Sequence, residues 1–351
     1  MKRRPRGVWP AVYAVSALLR ATVAGCGSAD PGPASGPSTD GATADGATEA
    51  TDGAFPVTIA HAFGGTEIPA EPQRVVAWGW GSADAALALG VVPVAIPFQA
   101  YGGDEDGVLP WVADQLATLG AETPTVLPDS AEAPVEAIAE MEPDLILATY
   151  SGITAEEYEL LSAIAPTVAY PGEAWSTPWR EVIETTGRAL GRSAGAVDLL
   201  ADIDASIAAE AAEHPEFEGV TVAQTWDVGD TFYVYSPADP RVEFTEDLGF
   251  ATAPSVTELN TGESSFYFTL SHENLDQLTS DLLIAYADTQ AELEAFLASA
   301  PAQAMPQVVD GAYAGVVGKA FIASVSPPTA LSLTWGLADY VDLLAAAVAG
   351  L

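Results

Sequence analysis

Cations are scarce in this chain. Eleven lysines and arginines stand against 49 aspartates and glutamates, for a formal net charge of −38. Five of the eleven (Lys2, Arg3, Arg4, Arg6 and Arg20) fall in the first twenty positions, leaving Arg74, Arg180, Arg188, Arg192, Arg241 and Lys319 for the rest. So acidic a surface repels phosphate backbones and anionic headgroups, which excludes nucleic-acid binding. Its plain reading is a solubility device. Cysteine occurs once, at Cys26, so a disulfide within the chain is impossible. The three histidines, His61, His214 and His272, are scattered, which argues against the clustered ligands of a zinc or manganese receptor. The acidic run at 104–106 lacks the spacing of a calcium loop and reads as a solvated charge run. No HExxH, GxSxG or P-loop pattern occurs, and no catalytic triad can be assembled, so no enzyme is expected. Past the N-terminus, no apolar run reaches the roughly 20 residues that span a bilayer.

What is present begins with a processing signal. MKRRPR is basic, and GVWPAVYAVSALL is apolar but short. VAGC, residues 23–26, follows, and the combination resembles a bacterial lipoprotein signal. That resemblance implies a signal peptide over 1–25 and a lipid on Cys26; an ordinary cleaved signal with an incidental cysteine is the alternative. Residues 27–54 lack aromatic and large aliphatic side chains and cannot build a core. Residues 26–54 therefore read as a lipidated cysteine and a disordered tether.

From Phe55 the pattern is α/β. Short β-rich runs at 74–80, 91–96, 123–127, 144–150 and 167–170 alternate with helical segments at 82–90, 110–120, 135–143 and 154–165. Thr154 and Glu157 form a capping-box pattern. Residues 178–214 are helical with a break at Gly191, and 193–213 would make one helix about 30 Å long. Alternation then resumes: VTVAQTW, TFYVYS, a helix and strand over 272–286, a helix near 289–299, GAYAGVV and a terminal helical segment at 329–349. The expectation is an α/β fold with a lobe at 55–192, a connecting helix at 193–214 and a second lobe at 215–351. One short sentence occurs in both lobes. EAIAEMEPDLILA (136–148) aligns without a gap on ENLDQLTSDLLIA (273–285), matching Glu136 to Glu273 and Asp144-Leu145 to Asp281-Leu282.

A family resemblance rests on HAFGGTEIPAEPQRVVAWG (61–79), DAALALGVVPVA (84–95), VEAIAEMEPDLILATYSGIT (135–154), SAIAPTVAYP (162–171), PWREVIETTGRALGR (178–192), LSHENLDQLTSDLLIA (270–285) and PPTALSLTWGLADYVDLL (327–344). In this order and spacing they resemble the substrate-binding lipoproteins of ABC importers that carry iron–siderophore complexes and vitamin B12. The resemblance implies two Rossmann-like lobes with parallel sheets, joined by a single long helix, with the ligand in the cleft between them. It also implies an acidic residue on each lobe that docks on the permease dimer, at the positions of Glu136 and Glu273. Capping of a helix N-terminus is the plainer role for both. No cofactor is expected, and the ligand would be an iron(III)–siderophore chelate.

A bulky chelate needs aromatic walls. Trp80, Tyr101, Tyr150, Trp175 and Trp226 are the chosen candidates among strand-end and loop aromatics that include Trp78, Tyr233 and Tyr235. Core packing is the competing role for each. Arg241, in the polar stretch SPADPRVEF, is expected in a loop where it could reach an anionic ligand oxygen; a surface ion pair is its alternative. Arg188 and Arg192 read as structural. With so few cations, a neutral or cationic hydroxamate chelate fits better than an anionic catecholate. The function expected is an extracytoplasmic, lipid-anchored, monomeric receptor that hands a ferric siderophore to an ABC permease. Receptors for cobalamin or haem, and a surface lipoprotein without transport, are the alternatives.

Overall fold

A computed structural model describes residues 52–351. Cys26, the expected signal and most of the expected tether lie outside the described residues. The tether's last residues are fastened down rather than loose. The Gly53 amide donates to the Gly191 carbonyl at 3.0 Å, and the Asp52 carboxylate accepts from the Ala194 amide at 2.8 Å.

A hairpin opens the fold, β1 (Val57–His61) against β2 (Gly64–Ile68). There follow β3 (Val75–Ala77), α1 (Ser82–Ala88), β4 (Ala95–Ile96), α2 (Pro110–Leu119), β5 (Thr125–Val126), α3 (Val135–Glu140), β6 (Leu145–Ala148), α4 (Ala155–Ser162) and β7 (Thr167–Ala169). Strands β3–β7 make a parallel sheet ordered β5-β4-β3-β6-β7. The Thr154–Glu157 capping box forms as expected and opens α4. Helices α5 (Trp179–Ala189) and α6 (Ser193–Glu213) come next, and α6 is the uninterrupted 21-residue helix.

The second part comprises β8 (Thr221–Val228), β9 (Thr231–Tyr235), α7 (Pro240–Asp247), β10 (Ala251–Thr252), α8 (Pro254–Leu259), β11 (Tyr267–Leu270), β12 (Leu282–Ala287), α9 (Gln290–Leu297), α10 (Pro306–Asp310), β13 (Tyr313–Val317), α11 (Lys319–Val325) and α12 (Ser332–Val348). Its sheet runs β11-β9-β8-β12-β13, with β10 also beside β8. Here the structure adds to the expected parallel sheet, because β9 pairs antiparallel with both β8 and β11. The cause is local. Gly229 and Asp230 both have positive φ, at 60° and 63°, the twist of a two-residue hairpin turn. The ENLDQ stretch also differs from expectation: residues His272–Gln277 form a 3-10 helix rather than an α-helix.

The duplicated sentence has a structural reason. Strand β6 lies beside β3, and β12 beside β8, so each copy returns the chain to the far side of its sheet's first strand. The matched aspartates hold those strands in register. Asp144 accepts from the amides of Gln73 and Arg74, both at 2.8 Å, just before β3. Asp281 accepts from the Thr221 amide at 2.9 Å and its hydroxyl at 2.6 Å, at the start of β8. Hydrogen bonds from Thr221 hold the Asp281 carboxyl below its ordinary range.

One apolar core runs through both lobes. It joins Trp179 and Ile183 of α5, Ile203 and Ile207 of α6, Phe244 of α7 and Tyr340 of α12. Each such buried side chain contributes about 1.5–3 kcal/mol. Arg180 of α5 adds a polar tie, reaching Asp204 on α6 and Glu243 and Asp247 on α7, each at 2.8 Å. Residues 319–335, expected wholly within the second lobe, also pack on the first. Ala323 and Leu331 lie against the cluster of Leu87, Leu109 and Trp111, and Trp335 sits 5.5 Å from Trp111. Arg188 and Arg192 brace the first lobe through the Thr58 carbonyl and Glu71.

His61 closes β1 in a buried network. Its Nε2 lies 2.9 Å from the Thr66 hydroxyl and 3.3 Å from the Tyr158 hydroxyl, and its Nδ1 accepts the Phe63 amide at 3.2 Å. Burial holds its pKa below the ordinary value of 6.5. The unfolded chain therefore binds this proton first as pH falls, and stability is lost below about pH 6.5. His61→Gln is expected to flatten the fall in urea midpoint between about pH 7.5 and 5.5. An unchanged slope would remove His61 as the cause.

Candidate functional site

In an open α/β sheet, ligands bind where the chain departs to opposite sides of neighbouring strands, at their carboxyl ends. In the first sheet that point lies between β3 and β6. Trp78-Gly79-Trp80 leaves β3 there and Thr149-Tyr150-Ser151 leaves β6. The two exits are joined, for the Trp80 amide donates to the Tyr150 carbonyl at 3.0 Å. In the second sheet the equivalent exits follow β8 and β12. Trp226 on β8 is in register with Tyr286 on β12, and Asp288 follows β12.

The two sets meet. The Tyr101 phenol, from the loop after β4, donates to Asp288 at 2.8 Å, and its ring centre is 5.8 Å from that of Trp226. The Trp80 indole N–H donates to the Pro327 carbonyl at 2.9 Å. Tyr150 is buried and packs edge-on to Trp175 at 5.8 Å. Trp175 is 44% exposed, the most open of the five aromatic candidates. A cavity of about 390 Å³ opens beside them, lined by Trp78, Trp80, Phe98, Gly152, Glu157 and Trp175. Burial, with Asp288 adding to it, pushes the Tyr101 phenol far above its ordinary range, so it stays a hydrogen-bond donor. Burial does the same to Tyr150.

Arg241 is not in the polar loop expected for it. Asp239 caps α7 and Pro240 occupies its first turn, so Arg241 is helical and only 8% exposed. Its ion pair is a buried one, not the surface pair that was the alternative. Its Nε donates to the buried Asp239 at 2.7 Å, and its guanidinium lies 3.6 Å above the Tyr235 ring and 5.9 Å from the Tyr286 ring. Burial opposes its charge, but Asp239 and the two tyrosines more than offset this and hold its pKa above the ordinary value. Pro240, between Asp239 and Arg241, lines one small pocket with Trp80 and Tyr150 of the first lobe, so this pair lies close to the same junction.

Sequence reading did not single out Asp239, Tyr286, Asp288 or Lys319. Lys319 Nζ is 3.4 Å from Asp288 and 5.9 Å from the Tyr101 ring centre. Its signal was its rarity as a cation; Asp288 and Tyr286 had none. Glu136 and Glu273 stand apart from this cluster. Both are exposed, each in the first turn of its short helix. Topology puts each helix start at the carboxyl end of its own sheet, the end that carries the cleft. Among the described residues, no three His, Cys, Asp or Glu side chains converge as metal ligands, and no helix is long and apolar enough to cross a membrane.

Comparison with known proteins bears on the family and the fold. The chain is similar to the probable siderophore-binding lipoprotein YfiY of Bacillus subtilis, at 29% identity over 251 residues, covering 68% of this chain and 71% of that protein. The crystal structure of PiaA from Streptococcus pneumoniae in complex with ferrichrome shares 34% identity, covers 84% of this chain and 99% of that chain, and superposes with a TM-score of 0.77. A periplasmic solute-binding protein of Mycobacterium smegmatis shares 30% identity, with 83% and 98% coverage and a TM-score of 0.70. The family described as periplasmic binding protein matches residues 75–308, well over half the chain, and the chain belongs to that family.

Proposed function

We propose that this chain is an extracytoplasmic receptor, lipid-anchored through Cys26, that captures a ferric siderophore and delivers it to an ABC permease. The observation that supports the reading is the meeting of aromatic side chains near the strand ends of two sheets: Tyr101 against Trp226, Tyr150 against Trp175 and Trp80 tied to Pro327, with Arg241 held on the Tyr235 ring nearby. Flat aromatic walls with a few fixed donors suit a large, partly apolar chelate. The ferrichrome held by PiaA supports a hydroxamate ligand, and so does the pairing of Arg241 and Lys319 with acids. Glu136 and Glu273, one on each lobe, are the proposed permease contacts, and the receptor acts as a monomer.

Tryptophan emission tests this directly, because three of the proposed contacts are indoles. Ferric hydroxamates are expected to quench it with a Kd of about 1 μM or tighter. Tight binding of a ferric catecholate alone would overturn the hydroxamate assignment. Binding of cobalamin or haem instead would move the receptor to another ligand, and no binding in the whole panel would leave the surface-lipoprotein reading.

A further inference from the structure

Six basic residues lie beyond the N-terminal segment, and only some of them reach the cleft. Arg74 is spent on the carbonyls of Met141 and Glu142, Arg180 on the α5–α7 tie, and Arg188 and Arg192 on the first lobe. Arg241 and Lys319 border the aromatic cluster. Each is matched by an acid of its own lobe, Arg241 by Asp239 and Lys319 by Asp288.

Asp239 does more than a helix cap requires. One oxygen accepts from both the Arg241 amide, at 2.9 Å, and the Arg241 Nε, at 2.7 Å. Its other oxygen, Oδ2, is buried and has no hydrogen-bond partner among the described residues. The residue is 1% exposed. A cap alone is served by serine, threonine or asparagine, without burying a charge. A buried carboxylate carries a desolvation cost that those residues avoid, and the adjacent guanidinium offsets it only in part, since burial still holds the Asp239 pKa above its ordinary value. The charge of Asp239 is thus the feature in need of a role.

We infer that Asp239 is a specificity-determining residue: it locks Arg241 into a buried ion pair, so that the cleft offers hydrogen-bond donors and aromatic faces but no uncompensated cation. The inference rests on the chelate-receptor reading above. A neutral ferric tris-hydroxamate loses nothing by this arrangement. A ferric tris-catecholate, strongly anionic, finds the charge of the only deeply buried arginine of the described residues already matched by the buried carboxylate beside it. At the low effective dielectric of such a site, one unit of charge is worth more than tenfold in affinity for a multiply charged ligand.

The test compares affinities of the full chain for ferrichrome and for a ferric tris-catecholate. Asp239→Asn is expected to raise the catecholate-to-hydroxamate affinity ratio by about tenfold or more. Adding Arg241→Gln removes the matching positive charge and should return the ratio to within about threefold of the parent protein's. An unchanged ratio in folded Asp239→Asn overturns the inference. If that variant does not fold, as judged by circular dichroism, Arg241→Gln alone decides: it leaves the Asp239 charge unmatched and should lower the catecholate-to-hydroxamate ratio about tenfold, and an unchanged ratio overturns the inference. A parent protein that binds neither chelate overturns the receptor reading itself, a result separate from any change in ratio.

Discussion

With Glu136 and Glu273 both changed to arginine, uptake of the chelate by cells is expected to fall about a hundredfold, while chelate affinity of the purified protein moves less than about threefold. Both carboxylates are exposed and stand on different lobes. On the proposed permease contact, reversing each charge turns attraction into repulsion, and like-charge juxtapositions cost several kcal/mol. Either single reversal leaves one lobe engaged and should cost less than half of the double effect on a logarithmic scale. The capping role alone predicts something different: a loss of about 0.3–1 kcal/mol in stability per site and no change in uptake at equal protein level. Uptake and thermal stability measured on the same variants separate the two.

Gly79→Ala is expected to cost about 2–4 kcal/mol of stability and to abolish the contribution of Trp80 to ligand quenching. Gly79 has a φ of +90°, a conformation that residues with a Cβ rarely adopt. A methyl group here would also run into the Tyr150 carbonyl and crowd Ser151. That carbonyl accepts the Trp80 amide, the bond that sets the β3 exit beside the β6 exit. The methyl group must therefore pry apart the two loops that form the first lobe's half of the cleft. Urea denaturation and fluorescence titration read the two effects separately. A stability loss under about 1 kcal/mol, with quenching intact, would show that the loops can shift without consequence.

The first lobe and the connecting helix were largely legible because their signals are local. The capping box of α4, the Pro110 and Gly120 that bracket α2, and the proline-free run of α6 each act within a few residues. Two local signals were present but went unread. Asp239-Pro240 is a cap followed by a first-turn proline, which marks a helix start, yet the surrounding Ser-Pro-Ala read as loop. Gly229-Asp230 is a two-residue hairpin turn, and it accounts for the antiparallel strand in the second sheet. The aromatic candidates were found by type and position at strand ends. Their polar partners were not, since Tyr101 and Asp288 lie 187 positions apart and nothing in either neighbourhood refers to the other. The same holds for Asp239, whose importance comes from burial, a property that a polar local sequence conceals.

The return of residues 319–335 to the first lobe bears on the order in which the protein can be made. Asp84 on α1 is buried, and its carboxylate is satisfied by the Trp111 indole and by the Thr329 hydroxyl, 245 positions further on. Ala323 fills the same neighbourhood. A ribosome releases α1 and α2 long before either of these arrives, so the lobe that is begun first is finished last. Contacts over so long a stretch carry a high loop-closure cost and are expected to form late. The first half of the chain is thus sealed only by its final helices, an order of completion that would suit a protein carried across a membrane before it folds.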